Sequence, residues 1–206
     1  MSFSINLFDL LLVSILTAGV FYGRKHGLSI ELFRVTKWVA LLLGCALFYR
    51  PAGALIAQMA GLSLLTSYLL AYIATALLIL LLFSAIQRRF APKLVGTDAF
   101  GRGEYYLGML SGMVQFGCML MMVLALLNAR EFTPAELRAL EQYQEAAYGS
   151  SVFPNLHSFQ AAVFDRSLFG PWIREELSFL LIEPTEADQL QPTRRESKFP
   201  TATARK

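Results

Sequence analysis

The chain has 206 residues, 55% hydrophobic and 16% charged, with a mean hydropathy of +0.49 and a formal net charge of +3. Soluble domains carry about 25% charged residues, so this composition excludes an ordinary soluble domain and marks an integral membrane protein. The basic residues flank apolar runs instead of forming one stripe, which excludes a nucleic-acid surface.

In chain order, the first expected span covers residues 5–23. It opens on Asn6 and Asp9 and ends on Arg24-Lys25-His26. No positive n-region precedes it and no small-residue cleavage site follows, so a span is expected in place of a signal peptide. Gly19, Gly23 and Gly27 recur every four residues and line one face. In lipid such a ladder lets a second helix approach backbone to backbone, because close packing drives association there. Asp9 carries two open readings. It can be an intramembrane group that binds a proton, a cation or another helix. It can equally be an end-of-helix carboxylate favoured by the helix dipole, with its oxygens in interfacial water.

The second span is expected over 32–50. Only Trp38 to Tyr49 is free of charge, which is too short to cross alone. Glu31, Arg34 and Lys37 are spaced by three and share one arc, so Leu28 to Tyr49 reads as one helix. It is interfacial at its start and immersed after Trp38, with Trp38 at the headgroups and Lys37 reaching outward. Arg50-Pro51 ends it, and Pro51 to Gly61 is a connection.

Residues 62–86 and 105–129 form the third and fourth spans, each 25 residues without a charge. That length crosses a hydrocarbon core of roughly 30 Å. Ser67, Tyr68, Tyr72 and Thr75 are the polar handles of the third, with the hydroxyls of Ser and Thr expected on their own backbone. In the fourth, Gly108 and Gly112 share a face and Gly117 lies opposite. That helix is therefore approachable on two sides, with the Gly19/Gly23/Gly27 ladder as partner for one. Cys45 and Cys118 sit in apolar runs and read as small packing residues, not a disulfide.

Each of the loops 24–37 and 87–104 holds four Lys/Arg, whereas the connection between spans two and three holds only Arg50. The positive-inside rule puts the two basic loops in the cytoplasm and both termini outside. The expected organisation is therefore a four-span transmembrane domain over 1–129, an amphipathic helical tail over 130–183 and a disordered tail over 184–206. In the helical tail, Thr133-Pro134-Ala135-Glu136 is a capping box that starts a helix running to about Tyr148. A second helical stretch is expected over Ser158 to Ser167 and a third after Pro171. These lie on the outer membrane surface or cap the bundle.

No catalytic motif is present, and His26 and His157 fall on opposite sides of the membrane. No catalytic, metal or cofactor residues are assigned, and the protein is expected not to be an enzyme.

Asn6-x-x-Asp9, Gly23-x-x-x-Gly27, Glu31 and Trp38 together resemble the N-terminal signature of the colicin V production protein (CvpA) family. The basic, Gly-rich loop leading to Leu107-Gly108-x-x-x-Gly112 resembles that family's second conserved region. Glu104 and Tyr105 stand where members often carry Asp-Arg, and Gln115 where they often carry a basic residue. The resemblance covers Asn6 to Asn128. It implies an all-α bacterial inner-membrane protein of four spans in a small bundle, associated with toxin (colicin V) production or export and with envelope upkeep. The first reading is a non-enzymatic accessory or scaffold. Its expected partners are the lipid bilayer, further copies of itself and an envelope or secretion protein. The alternative is a small-solute or ion pathway using Asp9.

Overall fold

A computed structural model describes residues 6–26, 28–94, 103–133, 136–138 and 156–186. The apolar runs become four long helices: α1 (Leu7–His26), α2 (Leu28–Ala60), α3 (Leu64–Leu94) and α4 (Gly103–Asn128). All four are long and apolar enough to cross a membrane, over Leu7–Lys25, Leu32–Ala60, Leu64–Arg89 and Tyr105–Asn128. Helices are what lipid demands, because every backbone N–H and C=O must then find its partner within the segment. The fold is an all-α membrane bundle with short helices from the C-terminal part packed on one end.

The second helix departs from the expectation that Arg50-Pro51 stops it. Pro51 lies inside α2, which runs on to Ala60. A proline removes one backbone hydrogen bond, a cost that neighbouring packing can offset in a membrane helix. Here α3 supplies that packing: Tyr49 and Ala57 are buried, and Gly53 lies against the ring of Tyr68. The true turn is at Gly61, whose φ of +63° is the left-handed conformation that ends helices. Ser63 then caps α3, its Oγ accepting from the Thr66 backbone N–H at 3.3 Å.

The helices pair unequally. α2 packs chiefly on α3, α1 chiefly on α4, and α2 and α4 form the seam between the pairs. Where α2 meets α3, side chains meet: Tyr49 on Tyr68 edge to face at 5.5 Å, and Cys45 Sγ toward the Tyr72 carbonyl at 3.7 Å. Cys45 and Cys118 are both free and buried.

The C-terminal part begins with β1 (Arg130–Glu131), which pairs in parallel with β2 (Thr185–Glu186). Between them come α5 (Leu156–Gln160), continuing as a π-turn over Ala161–Asp165, then α6 (Gly170–Glu176) and a 3₁₀ turn at Ser178–Leu180. These elements cap the bundle where α1 starts and α4 ends. Val163, Phe164, Ile173, Leu181 and Ile182 join Phe8, Leu12, Tyr49, Leu124 and Ala125 in one core. Leu180 goes further, packing with Leu42 and Cys118, so the 3₁₀ turn wedges into the α2/α4 seam. The Thr133/Glu136 box is made in both directions, at 3.2 and 3.3 Å. The expected helix from Glu136 to Tyr148 lies outside the described residues after Arg138. Disorder expected from 184 onward is corrected at its start, because Thr185 is buried and donates its N–H to the Ala129 carbonyl at 3.0 Å. Residues beyond 186 lie outside the described ones.

Candidate functional site

Two features of α1 converge on function, one at each level of the helix. The first is polar. Asn6 caps α1, its Oδ1 accepting from Leu7 N–H at 2.7 Å, and Asp9, three residues on, reaches back to accept the Asn6 backbone N–H at 3.0 Å, one half of a capping box. The Asp9 oxygens then also accept from Leu168 N–H at 3.0 and 3.1 Å and from Phe169 N–H at 3.4 Å. Asn6 adds a bond from its Nδ2 to the Ala162 carbonyl at 2.8 Å. The carboxylate is 5% exposed, so its oxygens do not lie in interfacial water. Its partner is backbone from the cap, which no local pattern in the sequence announces.

The cap is shaped to offer those two amides. Ser167 Oγ donates to the Val163 carbonyl and accepts from Gly170 N–H at 2.8 Å, folding the chain tightly around Leu168 and Phe169. A Cβ on Gly170 would overlap the Val163 carbonyl, so only glycine fits. Further bonds tie the cap down. Asn128 Nδ2 donates to the Ile182 carbonyl at 3.0 Å, Glu183 N–H to Tyr49 Oη at 3.2 Å, and Gln160 Nε2 to the carbonyls of Leu127 and Arg130. Arg50 holds Glu183 at 3.1 Å across exposed side chains.

The second feature is steric. Gly19 and Gly23 of α1 face Gly108 and Gly112 of α4. A Cβ on Gly19 would lie 2.8 Å from the Gly112 carbonyl oxygen, and one on Gly23 would overlap the Gly108 carbonyl. Gly112 in turn faces the backbone of Gly19 and Gly23. Gly117 does not share this closeness: a Cβ there would meet only Leu16 Cδ2, at 3.9 Å, an ordinary contact. The expectation of a second intimate face on α4 is therefore corrected. Gly27 lies outside the described residues. Glu31 lies on α2, and its side chain is outside the described part. Lys37 Nζ sits 5.4 Å from the Trp38 ring, and Trp38 packs on the Leu42/Cys118/Leu180 cluster.

Three polar side chains lie buried within the bundle. Ser67 and Tyr72 are buried on α3 and Gln115 on α4; Ser67 Oγ, Tyr72 Oη and Gln115 Oε1 make no hydrogen bond. Ser67 thus departs from the expectation that it bonds its own backbone, whereas Ser14 and Thr17 follow it, at 2.7 Å each. Among the described residues no group of three His, Cys, Asp or Glu is placed to hold a metal.

Two adjoining cavities, of about 300 and 320 Å³, open in the cap on either side of Arg174 and Pro184. One is lined by charged and polar groups including Arg130, Glu131 and His157, the other by Phe179, Leu181 and Ile182 as well as Arg50.

Residues 8–159 match a family model described as Colicin V production protein. The match runs past Asn128, where the sequence resemblance ends, into α5. No curated protein and no solved structure matches the chain.

Proposed function

The chain belongs to the colicin V production protein family, and from that premise we propose that it is a non-enzymatic scaffold of the bacterial inner membrane. Membership supports an accessory role at the membrane in toxin production. The finer reading is that the bundle carries a docked cap to an export or envelope partner, with both termini on the periplasmic side. The observation that carries it is the Asp9 clamp. A carboxylate that accepts from three backbone amides, one on its own helix end and two on the cap, ties one surface to another, which is a structural use of the charge. The same fact counts against the pathway reading, whose titratable group was to be Asp9.

Two experiments test the proposal. Reporters placed after Lys206 and near Lys93 should report opposite sides, Lys206 outside and Lys93 inside; Lys206 inside overturns the orientation. Liposomes holding wild type and Asp9→Asn should show no ion flux in either. Flux through wild type that the variant abolishes would make this a pathway and end the scaffold reading.

A further inference from the structure

We propose that the polar cavity of the cap is a binding site for a zwitterionic headgroup of the phosphoethanolamine type. The cavity, about 300 Å³, lies where α4 gives way to β1, level with the end of a membrane span. Its central cation is Arg130. The guanidinium stacks on the Phe132 ring at 4.5 Å, and Phe132 meets His157 edge to face at 5.6 Å, so its plane is held in place. Its Nη2 reaches Glu136 only at 3.8 Å, and its Nε–H is buried with no hydrogen-bond partner among the described residues. A buried donor without an acceptor is costly, and the Nε/Nη edge of arginine is the fork that receives a phosphate or carboxylate through two parallel bonds.

An anion alone does not balance the lining. Arg174 is taken up by Asp165 at 3.0 Å and spreads over the Phe164 ring at 4.8 Å. Glu131, next to Arg130 and lining the same cavity, has no partner among the described residues. One unmet guanidinium edge beside one unmatched carboxylate suits a ligand that carries an oxyanion and a primary ammonium a few bonds apart. A quaternary ammonium cannot donate to Glu131, and a purely anionic headgroup leaves it unanswered. The adjoining cavity adds the exposed ring of Phe179. That apolar ring suits the glycerol and first methylenes of a lipid, so the membrane-borne form is the expected source and the free headgroup the other.

The test uses the full chain in nanodiscs made of phosphatidylethanolamine, phosphatidylglycerol and phosphatidylcholine in equal parts. Lipids that stay with the protein on release are counted by native mass spectrometry. Wild type should retain phosphatidylethanolamine at least fivefold over each of the others. Arg130→Lys keeps the charge but loses the fork, and should erase that retention. Glu131→Gln, at an exposed side chain, should leave the fold intact and bring phosphatidylethanolamine down to the level of phosphatidylglycerol. Soluble phosphoethanolamine displacing the bound lipid at millimolar concentration would assign the site to the free headgroup. Equal retention of all three lipids, or a preference that survives both substitutions, overturns the proposal.

Discussion

The two ends of α1 are held by opposite physics. From Gly19 onward the helix meets α4 through absence of side chains, and at Asn6 and Asp9 it meets the cap through hydrogen bonds. In the hydrocarbon, apolar side chains gain little by leaving lipid, so fit of backbone on backbone decides who pairs with whom. At the rim, three backbone donors and one carboxylate satisfy one another away from water, and direction decides. The same helix thus carries a shape code along its middle and a polar code at its start. Substitutions should separate the two.

The largest effect is expected at the steric end. Gly23→Leu drives a side chain into the Gly108 carbonyl and should part α1 from α4. A loss above about 4 kcal/mol is expected, the range of severe overpacking or backbone displacement, read as loss of a cooperative melt in detergent. Gly112→Leu should match it. Unchanged melting in both variants would remove the steric half of the comparison.

Next comes the polar end. Asp9→Ala leaves the part-buried Leu168 and Phe169 amides without their acceptor, and should cost about 2 kcal/mol, since an unmet buried donor costs about 1–3 kcal/mol. The cap should become sensitive to protease while α2 and α3 stay intact. Equal protease resistance would mean that apolar packing alone holds it.

A smaller loss, about 1 kcal/mol, is expected for Tyr49→Phe, which removes the acceptor of the Glu183 amide but keeps the ring on Tyr68. Smallest is Gly117→Ala, where the added methyl meets only Leu16. A helix gains from Ala over Gly, so melting should stay level or rise by up to about 1 kcal/mol. A drop there as large as at Gly23 would mean that small size matters all along α4 and not only at the seam.

Much of this was legible in residue order. The charge-free runs placed the third and fourth spans, and four-residue spacing put Gly19 and Gly23 on one face and Gly108 and Gly112 on another. Thr133 and Glu136 announced their mutual cap. What escaped was set by partners distant in sequence. Pro51 reads as a stop because local chemistry disfavours helix there, yet packing of Tyr49 and Gly53 on Tyr68 carries α2 past it. Asp9 reads as a lone carboxylate because its acceptors' partners, Leu168 and Phe169, contribute only backbone, which leaves no trace in side-chain pattern. The Asn6-x-x-Asp9 spacing accounts for the local bond from Asn6 N–H to Asp9 and for nothing on the cap. Gly117 misled for the converse reason: a glycine allows close approach but does not require it.

Amide hydrogen exchange at Leu168 and Phe169, in wild type and in Asp9→Asn, reads the Asp9 clamp itself. Slow exchange is expected at both amides in wild type. In the variant they should exchange at least tenfold faster, while the amides of α4 from Gly108 to Leu124 keep their wild-type rates. Fast exchange at Leu168 and Phe169 in wild type, or rates there that Asp9→Asn leaves unchanged, would contradict it.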